Sequence, residues 1–164
     1  MIDIAKKIDT LLARPLVAVV VGFLLAIAVF VLQDAYDTCT KRKAIAEILA
    51  VELTAIPKSI PEYESNRAFY RDPIYIPSAP LLLDGQLLNY SKHKALVTAL
   101  LHLQVALSKH NEFVSMTNNA QTDKSIPLSV YESWYVTIKQ LHAAVVESKA
   151  EVITALHEAK LGTT

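Results

Sequence analysis

From Pro15 to Leu32 the chain carries no charged or polar side chain, reading PLVAVVVGFLLAIAVFVL, and Arg14 closes the run on one side as Gln33 and Asp34 close it on the other. An α-helix rises about 1.5 Å per residue, so a run of this length reaches about 27 Å, close to the hydrocarbon thickness of a bilayer. A helix in the core of a water-soluble fold shows a polar face over that length, and this run has none. Val and Ile are poor helix formers in water. In lipid the helix is imposed instead by the need to satisfy every backbone polar group within the segment. The expectation is a single transmembrane helix over residues 15–33. A cleaved signal peptide fits less well, because its apolar region is about 7–15 residues and small residues follow it. Here the exit reads LQDAYD, and the segment is expected to stay as an uncleaved anchor.

The flanks suggest how such an anchor sits. Residues 1–14 place Ile4, Ile8, Leu11 and Leu12 at helical spacing, with Asp3, Lys6, Lys7 and Asp9 between them. That is the pattern of an amphipathic segment lying among lipid headgroups. Lys6, Lys7 and Arg14 on one flank, and Lys41, Arg42 and Lys43 on the other, are the expected headgroup contacts. Equal positive charge on both sides leaves the positive-inside rule undecided. The compact Lys-Arg-Lys cluster resists translocation, which favours a single-pass protein of the cell inner membrane with a cytoplasmic carboxy-terminal domain. Within the run, Ala18, Gly22 and Ala26 recur every four residues, and Gln33 lies beyond Phe30 near the interface. Small residues at that spacing let two helix backbones approach closely, so this face is the expected homo-oligomer interface.

Residues 34–164 read as one helical extramembrane domain. Ile45, Ile48, Leu49, Leu53 and Ile56 form a stripe opposite Lys43 and Glu47, and no proline interrupts residues 16–56. One long helix is therefore expected to run from the span into the aqueous phase and to end at Pro57. Residues 57–90 hold five of the seven prolines together with Tyr63, Phe69, Tyr70 and Tyr75. The prolines preclude a regular helix, and the aromatic content favours a segment that packs. An irregular insert is expected, with short helical turns near 63–69 and 81–88. It wraps its own domain or docks a protein partner. Residues 91–117 predict a largely apolar core helix with Thr98, His102 and Lys109 on its polar edge. Asn118, Asn119 and Asp123 suggest the next turn, and Ser129 with Glu132 suggests a capping box. The final helix runs through Trp134, Ile138, Leu141, Val145, Val152 and Leu156, with Gly162 placed as its cap. The fold class is all-α: a transmembrane helix continuing into a small antiparallel bundle.

Several chemistries lack their residues. Sixteen Lys+Arg balance sixteen Asp+Glu, so there is no basic surplus for nucleic acid. Three glycines leave no phosphate-cradling loop, and Cys39 as the single cysteine excludes an internal disulfide framework and cysteine-rich zinc sites. His93, His102 and His110 lie nine and eight residues apart, and His142 and His157 fifteen apart, so none pairs at the i, i+4 spacing of a helical metal site. Surface or boundary positions suffice for all five. The Arg-then-His motif of HEPN ribonucleases is absent, since Arg14, Arg42, Arg67 and Arg71 all precede the first histidine and none has one at motif spacing. No cofactor is expected. An enzyme would need distant polar groups, such as Glu52, His102, Asn111 and His142, to converge in one pocket.

The ordering resembles a loose class of uncharacterised bacterial single-pass membrane proteins, through Glu52-Leu53, the PLLLDGQLL stretch from Pro80 to Leu88, and Asn111. A fainter likeness is to small membrane-anchored accessory proteins of bacterial antiviral systems that assemble into pores. The first implies a helical module without an established activity, the second an oligomeric effector that perturbs permeability. The leading expectation is a non-enzymatic, membrane-anchored interaction module that self-associates or docks a partner.

Overall fold

The computed structural model describes residues 15–62, 71–84, 87–121 and 126–161, with side chains from Val19 onward. Four helices and no strand occur among the described residues: α1 (Pro15–Ala55), α2 (Ser78–Leu83), α3 (Lys94–Ala120) and α4 (Leu128–Glu158). Residues 1–40 and residues 41–164 form two separate compact units. The amphipathic pattern of residues 1–14, the turns near 63–69, Asp123 and Gly162 lie outside the described residues.

In the first unit, α1 stands uncovered among the described residues. Every residue from 19 to 37 is exposed. A Cβ added at Gly22 would meet nothing within 4 Å. One helix of the described chain is long and apolar enough to cross a membrane, and its apolar stretch is wholly unburied.

In the second unit, α1 changes role. Ala46, Leu49, Leu53 and Ile56 are buried in one cluster with Leu96, Leu100, Leu103 and Leu107 of α3 and Val145, Val152 and Leu156 of α4. Ile48 departs from the expected stripe and is 54% exposed, as is Val51 at 69%. At 3.6 residues per turn, position 48 lies a sixth of a circle or more from the line through 46, 49, 53 and 56, and it turns outward. The helix ends two residues before Pro57, where the steric demand of the ring disfavours helical backbone. The two carbonyls that follow it are satisfied from α4: the Lys149 Nζ donates to Ile56 O at 3.0 Å and His142 Nε2 donates to Pro57 O at 2.9 Å.

α3 and α4 run antiparallel. His102 of α3 meets Glu151 of α4, and eight residues later His110 meets His142, nine residues earlier on its helix. α3 begins three residues later than the pattern suggests and continues to Ala120, so Asn118 and Asn119 lie in the helix and not in a turn. Leu101 and Val105 of α3 are also exposed, because α1 and α4 cover only part of its circumference. The expected capping box does not form. Leu128 opens α4 after Pro127 with no side-chain cap, which leaves Ser129 inside the first turn.

At the other end of α4 the left-handed residue is Lys160, with φ 54°. Its N–H bonds His157 O, and Leu161 N–H reaches back to Leu156 O, both at 3.0 Å. This is the paired bond pattern of a Schellman motif, and the buried Leu161 supplies its apolar contact. The cap falls on a lysine, two residues before the glycine that the sequence favours.

Candidate functional site

Asn111, Asn118, Glu52, His142 and Lys149 share a task, which is to fasten the chain that follows α1 to the helices. Asn111 accepts the Ile74 N–H at 2.8 Å through its Oδ1 and donates to Ile74 O at 2.7 Å through its Nδ2. Asn118 treats Arg71 the same way, accepting its N–H at 3.2 Å and donating to its carbonyl at 2.7 Å. The two asparagines are two helical turns apart, about 10.5 Å along α3. Three residues of extended chain span about 10 Å. The spacings match, so the stretch from Arg71 to Ile74 is drawn out along α3 in the opposite direction, each amide side chain standing in for a neighbouring strand.

Glu52 holds the next part. Its carboxylate accepts the Ser78 N–H at 3.2 Å and the Ser78 hydroxyl at 2.5 Å. The charge sits where α2 has a free N–H and Pro77 offers no side-chain cap. Glu52 is thus neither fully buried nor a solvated edge residue; it is half-buried and partnered.

Two histidines lie deeper than surface or boundary positions. His110 is 2% and His142 3% exposed, and their rings are 5.7 Å apart, tilted by 56°. Nδ1 of His110 lies 3.1 Å from Asn111 Oδ1. That oxygen already accepts from Ile74, so His110 Nδ1 is the donor. By the same reasoning His142 carries its proton on Nε2, since the Pro57 carbonyl only accepts. His142 Nδ1 is buried and has no hydrogen-bond partner among the described residues. Burial holds the His110 ring below the ordinary histidine range and the neighbouring His142 pushes it the same way, against the opposing bond from Asn111. Beside His142 lies a cavity of about 290 Å³, lined by Lys58, Ser59, Ile60, Glu62, Tyr135, Lys139 and Ala143.

The four residues singled out for a pocket do not all converge. Asn111 and His142 approach one another through His110, Glu52 serves α2, and His102 is exposed and paired with Glu151 at 3.1 Å. The open groove of about 670 Å³ beside His102 has a floor of Ala95, Thr98, Ala99, Ala150, Thr154 and Ala155. Among the described residues, no three His, Cys, Asp or Glu side chains come together as a metal site.

Of the expected interface residues, Gly22, Ala26 and Gln33 lie on the exposed surface of α1, while Ala18 falls among helix residues whose side chains are not described. Lys6, Lys7 and Arg14 lie outside the described residues. Lys41 and Lys43 are exposed, whereas Arg42 is half-buried with its Nη1 3.3 Å from His93 Nε2. Burial, then the charges of Arg42 and Lys92, hold His93 below its usual range.

His110, Asn118, Ser78 and Lys149 were not among the residues expected to meet in a site. For His110 the signal is its place on the stripe of Leu103, Leu107 and Val114; for Asn118 it is the seven-residue spacing from Asn111.

These features define a class in coarse terms: an all-helical protein with one helix long and apolar enough to cross a bilayer and a bundle that straps down its own irregular insert. Comparison with known proteins goes no further, since no family model, no curated protein and no solved structure matches the chain.

Proposed function

We propose that the chain is a membrane-anchored, non-enzymatic helical interaction module that self-associates through α1. The observation carrying this reading is the surface of α1, where eleven large apolar residues between Val19 and Leu32 stand exposed, Phe30 at 73%. Taking such side chains out of water is worth about 1.5 kcal/mol or more each, on the order of 15–20 kcal/mol together. That exceeds the whole stability of an ordinary domain, about 5–15 kcal/mol. A bilayer supplies apolar surroundings for all of these side chains.

Lys41 and Lys43 lie just beyond this stretch, where an anionic cytoplasmic leaflet attracts each charge by about 1 kcal/mol. This favours an inner-membrane protein with its bundle in the cytoplasm. Gly22, with open space around it, and Ala26 supply the close-approach face for a second copy, with Ala18 and Gln33 completing it. The insert is the docking surface for a protein partner. Its backbone is clamped by Asn111 and Asn118, while Tyr75, Leu81 and Tyr90 point outward. Such preorganisation lowers the ordering cost of binding.

A membrane reporter of helix self-association tests the reading, with Gly22→Ile as the perturbation. The isoleucine fits the monomer, so a drop in signal reports a lost helix–helix approach. Unchanged association sinks the self-association, and recovery of the full chain in the soluble fraction without detergent sinks the anchor.

A further inference from the structure

His110 and His142 each use their one N–H to hold the irregular segment. His142 binds it at Pro57, and His110 orients Asn111, which grips Ile74. Each bond needs only one N–H of its ring. A second proton on His142 would sit on Nδ1, a buried atom with no acceptor among the described residues. A charged, buried, unsatisfied N–H is among the most costly groups a fold can hold. A second proton on His110 would place a cation 5.7 Å from its neighbour.

The surroundings do not compensate. Lys58 and Lys139 border the cavity beside His142 with a single carboxylate, Glu62, and the neutral Tyr135. Lys149 sits on the adjoining Ile56 carbonyl. On α3 the exposed Lys109 and Glu112 flank His110 and Asn111 in sequence. On the strapped segment Arg71 and Asp72 adjoin the Ile74 clamp, with Tyr75 beyond it. Cations outnumber carboxylates around the pair.

We propose that the two buried imidazoles form an acid-sensitive latch, whose protonation releases the stretches they hold, 57–60 at His142 and 71–74 along α3, while the apolar core of α3 and α4 stays packed. The path is short. Lys58, Ser59 and Ile60 line the cavity that His142 borders, so lifting them is the smallest movement that brings water to its ring. The main apolar cluster, with Leu100, Leu103, Val145 and Val152, is built without either histidine. The low proton affinity of His110 places the release on the acid side of neutrality.

Amide hydrogen exchange on the full chain in detergent micelles, corrected for intrinsic pH dependence, tests the latch between pH 7.5 and pH 5. Protection of the Ile74 amide is expected to fall at least tenfold in acid while Leu103 and Val145 keep theirs. In the double variant His110→Gln/His142→Gln, whose amides donate but do not titrate, the fall should vanish. Constant protection at Ile74, or a fall that persists in the double variant, overturns the proposal. Should that variant fail to fold, NMR titration of the imidazole ring protons in the unaltered chain decides. Rings that take up their protons while Ile74 stays protected refute the latch; coincident midpoints support it.

Discussion

Replacing Asn111 with Ala removes three hydrogen bonds through one side chain: the two that satisfy the Ile74 peptide group and the one that orients His110. A buried polar group left without a partner costs about 1–3 kcal/mol. Ile74 is half-buried, so water compensates part of the loss, and the low end of that range applies to each group. The sum is about 3 kcal/mol. For a unit the size of residues 41–164, 1 kcal/mol corresponds to a melting shift of about 4 °C. The variant should therefore melt about 12 °C lower in a thermal scan of the full chain in detergent, followed by circular dichroism. Asn111→Asp keeps the acceptor for the Ile74 N–H but aims a carboxylate at its carbonyl, and it should do no better. Asn118→Ala should cost less on the Asn111→Ala background than alone, because the two clamps hold one stretch and share its ordering entropy. A fall of less than 3 °C for Asn111→Ala would refute the clamp as a source of stability.

Three further outcomes follow from the geometry. Lys160→Gly relieves the left-handed backbone at the end of α4 and should stabilise by about 1 kcal/mol, read as a rise in melting temperature. Lys149→Met keeps the aliphatic stem but leaves the Ile56 carbonyl at the end of α1 without its cation, and should destabilise by about 1–2 kcal/mol in a urea titration. The folded His110 binds its proton more weakly than the unfolded chain, whose value lies near 6.5, so the unfolded state takes up more protons in acid. Its contribution is complete above that value and is lost as pH falls through it toward the folded one. Denaturation midpoints should decline below about pH 6.5, and less steeply in His110→Gln.

Much of the architecture was legible because it rests on apolar spacing. The long helix ending before Pro57, the core positions Leu49, Leu53, Leu100, Val145 and Leu156, and an irregular segment packed on its own helices all follow from periodicity and proline placement. Terminal detail was not legible. Ser129 and Gly162 have favourable chemistry for caps, but tertiary packing set the ends of α4 at Pro127 and Lys160. The site was hidden for a related reason. Asn118 reads as a turn residue and Lys149 as a solvated helix residue until the chain that crosses them is placed, and nothing in their local sequence names Arg71 or Ile56 as the partner. His110 and His142 were within reach, since both fall on stripes that are otherwise apolar.

The double duty of α1 decides where this polypeptide tolerates a cut. Its last turns supply Ala46, Leu49, Leu53 and Ile56 to the interior of the unit that begins at Lys41. A fragment starting at Lys41 keeps that wall of leucines and sheds the apolar stretch. One trimmed back to Pro57 would bare the faces of Leu100 and Val145 to water, and would clump where the longer piece dissolves.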